Sequence, residues 1–372
     1  MNPSWIPGWV VSWMAALLCT LLVTPLVRRV GMARGWYDQP GDRKVHISAV
    51  PTLGGVGIWI GLVVGGVVAW FAGAPLPSLR ALLGLTIGSI FVLLLGIADD
   101  IREVNWPTKI GVQVGAALVL VAFGYRIEVV ANPLNGAIAL GWFSVPTTVI
   151  WVLVLVNSIN LIDGLDGLAC GLSLLVAGTF FVTGLNLGSW TASSLALVLM
   201  GACVGFLPEN FCPARIFMGD AGSTTLGFVL AAISLIGAGK SVALVVLAVP
   251  LVALGVPIAD VGLAILRRAS RGDSLFEADK EHIHHWLLHI GFTHRQVVVM
   301  LYGVTVLLGT LAYALSTADR RVIIAFLVVT VTTGVAGGRY VVRRRVKRSG
   351  VPDGGRRCGR ERKRGRDRGC SG

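Results

Sequence analysis

The sequence predicts an all-α polytopic membrane protein of about eleven transmembrane helices, N-terminus outside and C-terminus cytoplasmic, with an active-site cleft on the cytoplasmic face. Three observations predict it. The 372 residues are 55% hydrophobic with a mean hydropathy of +0.77. Apolar stretches of about 17 to 23 residues recur along the chain, each long enough to cross a bilayer core. Lys and Arg collect in alternate loops between those stretches, as the positive-inside rule requires.

The predicted spans are residues 5–27, 53–72, 81–98, 109–124, 145–162, 168–185, 191–207, 224–238, 242–266, 297–316 and 322–338. The first differs from a cleaved signal peptide because no basic residue precedes it and Arg28-Arg29 follow it. The side holding residues 28–51 and the C-terminal end collects 27 Lys/Arg against 5 on the other, or 13 against 5 without the tail. That bias places the tail in the cytoplasm. Residues 1–338 then form a single transmembrane catalytic domain, and residues 339–372 a basic cytoplasmic tail with too few apolar residues to fold.

The net charge of +13 resembles a nucleic-acid signal until it is localised. The tail alone holds fourteen Lys/Arg and three Asp/Glu, leaving the membrane body nearly neutral. Anionic lipid is the partner this predicts for the tail, and nucleic acid is not. The six cysteines form no CxxC pair, so neither a disulfide framework nor a zinc site is expected from their spacing.

The polar residues carry the functional signal. Only Glu128 and Asp319 fall on the outer side, whereas Asp99, Asp100, Asp163, Asp166, Asp220 and all six histidines fall at cytoplasmic span ends. Ionisable groups are costly at membrane depth, so their gathering marks a site. The fifth span ends NSINLIDGLDGLA, in which Asn157, Asn160 and Asp163 recur every three residues and form one polar stripe on a helix. Gly164 breaks that helix, and Gly164 and Gly167 permit a turn that brings Asp166 back towards the stripe.

The third span ends with Asp99 and Asp100, which point about 100° apart on a helix. One can face a cleft while the other is held by a partner such as Lys109 or Arg102. FMGDAGS, residues 217–223, precedes the eighth span, where Ser223 can cap the helix and free amides can meet a phosphate. Asp220 there suits a Mg²⁺ ion, which takes oxygen ligands and bridges carboxylates to phosphates.

Between the ninth and tenth spans, Ile283, Trp286, Leu287 and Ile290 make an amphipathic stripe that Gly291 ends. His282, His285 and His289 share the adjacent face. A zinc site using all the histidines would require the helix to unwind, so phosphate contact by His282, His284 and His285 is the better expectation. The first cytoplasmic loop adds Arg43, Lys44 and His46 as further phosphate binders.

Five segments in order, namely the DxPxxRKxH loop (38–46), ADD (98–100), NSINLIDGLDGLA, FMGDAGS and HIHH followed by a helix and glycine, resemble the polyprenyl-phosphate N-acetylhexosamine-1-phosphate transferases. The likeness covers residues 28–296. It implies a multi-pass enzyme of the bacterial cytoplasmic membrane, moving a sugar 1-phosphate from a UDP-N-acetylhexosamine to undecaprenyl or decaprenyl phosphate. UMP is released, with Mg²⁺ or Mn²⁺ as cofactor, and a homodimer is compatible with it. The HIHH run without a preceding proline resembles the UDP-N-acetylglucosamine branch more than the muramoyl-pentapeptide branch.

The resemblance implies Asp220 and Asn160 as metal ligands, and Asp99 or Asp100, with Asp99 preferred, as the catalytic carboxylate. Substrate contacts fall to Lys44, His46, Asn157, Asp163, Asp166, Phe217, His282, His284 and His285. A cation-coupled transporter is the main rival, yet transporter sites sit near mid-membrane. A membrane phosphatase or pyrophosphatase is a second.

Overall fold

The computed structural model describes residues 3–38, 49–132, 136–237, 287–288 and 291–317, with single positions at Gly255 and Ile258. Lys44, His46, His282, His284, His285, most of the ninth predicted span, the eleventh and the tail lie outside the described residues. Nine of the predicted spans appear as helices: α1 Ile6–Arg34, α2 Gly54–Phe71, α3 Leu79–Ile101, α4 Trp106–Ala122, α5 Ser144–Ile162, α6 Leu168–Leu187, α7 Trp190–Asn210, α8 Gly219–Gly237 and α9 His294–Thr317. Eight are long and apolar enough to cross a membrane, and α4 is a shorter apolar helix.

Helix ends differ from hydropathy ends where the chain keeps its backbone hydrogen bonds beyond the apolar zone. Expected to end at residue 27, α1 runs on through Arg28 and Arg29 to Arg34, where Gly35 takes a left-handed φ of 77° and its N–H meets Met32 O. Two short antiparallel ladders were absent from the all-α expectation. Tyr37–Asp38 (β1) pairs with Val50–Pro51 (β2), and Val129–Asn132 (β3) pairs with Gly136–Ala139 (β4). Two to four residues a side are too few for alternation to show in the sequence.

The bundle is built around α8. Of its apolar window 83% is buried, against 22% for α1, so α8 is an inner helix of the bundle and α1 an outer one. Helix α8 packs on α2, α3 and α5; α1 packs on α2 and α7, and α9 on α6. Inside a bilayer, lipid is as apolar as leucine, so close backbone approach drives such packing. Gly55 of α2 and Gly96 of α3 supply it: a Cβ on either would collide with the α8 backbone at Gly222 and Ala221.

Candidate active site

Four helix termini meet at one end of the bundle. Helix α3 ends on Asp99 and Asp100, and α4 begins after Asn105, whose Oδ1 accepts from Thr108 N at 3.1 Å and starts the helix that carries Lys109. Helix α5 delivers Asn157 and Asn160 in its last turns. Helix α8 begins at Gly219, with φ of 68°, and places Asp220 in its first turn.

Lys109 is the centre of this cluster. Its Nζ donates to Asp99 Oδ2 at 2.5 Å and to Asp220 Oδ2 at 3.2 Å. Asp99 Oδ1 also accepts from Val104 N at 2.7 Å. Asn160 Nδ2 donates to Asp220 Oδ1 at 2.9 Å and to Ser223 Oγ at 3.0 Å. The side chains of Lys109 and Asp220 remain 31% and 30% exposed, so a ligand can reach them.

Asp100 has a different task. Its two carboxylate oxygens accept from Asp220 N at 2.8 Å and Ala221 N at 3.1 Å, capping α8 from another helix. This corrects two expectations. The amides expected to meet a phosphate are taken by Asp100, and Ser223 is not the cap, since its Oγ donates to Gly219 O at 3.0 Å inside the first turn. The helix therefore starts earlier than residue 224. Lys109, one of the two partners expected for an aspartate of this pair, holds Asp99 and also reaches Asp220, while Arg102 is exposed.

The polar stripe divides. Asn160 enters the cluster, whereas Asn157 Nδ2 donates to Gln113 Oε1 and Leu153 O, each at 2.8 Å, and ties α5 to α4. Asp163 ends α5, its carboxyl held well above the usual range by burial first and then by the charges of Asp220, Asp100 and Asp166. Asp166 reaches the loop between α7 and α8, where its Oδ2 accepts from Ala214 N at 2.9 Å. Phe217 is half-buried; its N donates to Pro51 O at 2.8 Å and its O accepts from Gly54 N at 3.0 Å. The strand that closes the Lys44 and His46 loop is thus tied to the segment leading into Asp220.

Two residues the sequence reading missed hold this end together. Buried Asn210 accepts from Gly167 N at 3.1 Å and donates to Ile216 O at 3.0 Å, joining the α5–α6 turn to the loop before α8. Tyr302 of α9 donates to Gly167 O at 2.5 Å, and Gly167 itself takes a φ of 77°. Nothing in the local pattern marks either residue, because each acts across a long sequence separation.

The donor set fits a hard divalent cation. Asp99 and Asp220 share one lysine, Asn160 adds a carboxamide, and carboxylate and carboxamide oxygens are the ligands Mg²⁺ prefers.

Fold and cluster together define a multi-pass membrane protein with a charged centre at the ends of its helices. Residues 82–238 match the sequence model of glycosyl transferase family 4. The chain is 39% identical over 295 residues to a probable undecaprenyl-phosphate N-acetylglucosaminyl 1-phosphate transferase of Bacillus subtilis, covering 79% of this chain and 81% of that one. It is 34% identical to a decaprenyl-phosphate N-acetylglucosaminephosphotransferase of Mycobacterium tuberculosis, over 74% of each chain. A phospho-N-acetylmuramoyl-pentapeptide-transferase of Halalkalibacterium halodurans is 28% identical, over 77% of this chain and 90% of that one. The chain belongs to glycosyl transferase family 4, the polyprenyl-phosphate N-acetylhexosamine-1-phosphate transferases.

Proposed function

We propose that the protein transfers N-acetylglucosamine 1-phosphate from UDP-N-acetylglucosamine to a polyprenyl phosphate at the cytoplasmic face of the bacterial inner membrane. UMP leaves and a polyprenyl-pyrophosphoryl sugar forms. The observation that carries this reading is the meeting of Asp99, Lys109, Asn160 and Asp220 from four helices at one end of the bundle. Relatives of similar length named for that transfer support it. A transporter site at mid-membrane is not favoured by carboxylates that gather at helix ends.

Asp220, with Asn160, would hold Mg²⁺, which when bound supplies charge neutralisation on the donor pyrophosphate. The remaining work falls to the chain. Lys109 offsets the charge of Asp99 and Asp220, so an anionic phosphate can approach without meeting two bare carboxylates. Asp99, fixed by Lys109 and Val104 N, orients the acceptor phosphate in line with the sugar-bearing phosphorus. An acceptor oxygen bonds to that phosphorus as the bond to the UMP oxygen breaks, and the electron pair leaves on UMP.

A phosphate monoester is mostly dianionic near pH 7, its second pKa being about 6, so proton removal by Asp99 contributes little and positioning dominates. Asp100 keeps α8 and hence Asp220 in place. Asp163 and Asp166 are assigned to positioning the nucleotide or a metal-bound water, and Asn157 and Phe217 to substrate contact. Lys44, His46, His282, His284 and His285 are assigned to phosphate charge on sequence alone.

Purified protein given Mg²⁺, polyprenyl phosphate and a panel of labelled UDP-sugars tests the donor. UDP-N-acetylglucosamine is expected to exceed UDP-N-acetylmuramoyl-pentapeptide in kcat/KM by at least about a hundredfold, roughly 2.7 kcal/mol in transition-state binding. A preference for the pentapeptide donor overturns the branch. Absence of lipid-linked product with every UDP-sugar overturns the reading.

A further inference from the structure

We infer that Tyr302 of α9 is a positioning residue for nucleotide binding, resting on the reading above in which Asp163 and Asp166 position the nucleotide. Its hydroxyl donates to Gly167 O at 2.5 Å, at the end of the α5–α6 turn on which both carboxylates stand. Gly167 has a φ of 77° and directly precedes α6. Both of its backbone groups are gripped from other elements, the N–H by Asn210 Oδ1 at 3.1 Å and the C=O by Tyr302. Room for the phenol comes from Gly171, one turn into α6, where an added Cβ would collide with the Tyr302 hydroxyl.

The other bonds of this peptide decide what the hydroxyl adds. Gly167 O also accepts from Gly171 N at 2.9 Å, inside the first turn of α6. A carbonyl has two lone pairs, so loss of the hydroxyl leaves this oxygen satisfied and the helix intact. What is lost is orientation. Glycine in the left-handed region has wide backbone freedom, so the peptide beside Asp166 keeps its angle through the groups that grip it. The same helix also holds the neighbouring loop, since Arg295 donates to Cys212 O through Nε at 3.1 Å and Nη2 at 2.9 Å. That loop returns a bond to the turn through Ala214 N and Asp166 Oδ2. The first turns of α9 thus clamp the nucleotide turn and the segment leading to Asp220. Asp99, which orients the acceptor, is held instead by Lys109 and Val104 N. Loosening the clamp therefore acts on the nucleotide and spares the lipid.

Tyr302→Phe keeps the ring in its slot and removes only the hydroxyl. The full chain in detergent with Mg²⁺ is assayed for transfer and, separately, for binding of UMP. The variant is expected to raise KM for UDP-N-acetylglucosamine by about tenfold and to weaken UMP binding by a similar factor, with kcat and KM for polyprenyl phosphate within about twofold of the unaltered chain. Tyr313→Phe, about three turns further along α9, should change none of these. Size exclusion and Tm establish that both variants are folded. Unchanged donor KM and UMP affinity in folded Tyr302→Phe, or an equal rise in the KM of donor and lipid, would overturn the role. An unaltered chain that binds UMP yet transfers no sugar would overturn the proposed reaction alone, with UMP affinity still deciding on Tyr302.

Discussion

Asp99 and Asp100 are adjacent, acidic and at one helix end, yet the structure gives them unlike work. One is bonded to Lys109 in the cluster, and the other caps α8. From sequence alone the two are interchangeable, because a 100° offset says that they diverge and not which way each turns. Their variants should therefore differ in kind. Asp99→Asn is expected to lower turnover by orders of magnitude with little change in Tm. Asp100→Ala should cost about 1–2 kcal/mol of stability, as loss of a helix cap does, and lower Tm. Thermal unfolding beside turnover checks both, and the reverse pattern would exchange their roles. The three-residue spacing made the placement of Asn160 legible. The turn of Asn157 to Gln113 and the reach of Lys109 to Asp220 were not, since both partners are distant in sequence.

At the level of elements, hydropathy located the helices because each must be apolar for the length of the bilayer core. It misjudged the start of α8. GDAGS reads as a turn when only local preferences count, and the cap that turns it into helix comes from α3. The ladders β1–β2 and β3–β4 escaped notice for want of length. Packing around α8 gives this scale its prediction. Gly96→Leu would drive a side chain into Ala221, so monodisperse protein should be lost or Tm should fall sharply. Gly66→Ala in α2, where a Cβ meets nothing within 4 Å, should be tolerated. Size exclusion and thermal unfolding in detergent compare them, and a normal Tm for Gly96→Leu would contradict the close approach.

For the whole molecule, charge and chemistry separate along the chain. Among the described residues Asp99, Asp100 and Asp220 meet at one end of the bundle, while residues 339–372 carry fourteen Lys/Arg, each of which would contribute about 1 kcal/mol, less than additively, beside an anionic lipid surface. Deleting residues 350–372 is expected to leave turnover in detergent nearly intact. Total loss of activity in monodisperse truncated protein would place the tail in the site. The central claim is that Asp220 anchors a transfer of sugar phosphate between two phosphate esters, with lipid and not water as acceptor. It is tested most directly by UMP release from UDP-N-acetylglucosamine with and without polyprenyl phosphate, in the unaltered chain and in Asp220→Asn. The account predicts release only with the lipid, matched one for one by lipid-linked sugar, and lower by orders of magnitude in folded Asp220→Asn. UMP release without lipid, or near-normal turnover of Asp220→Asn at low Mg²⁺, would contradict it.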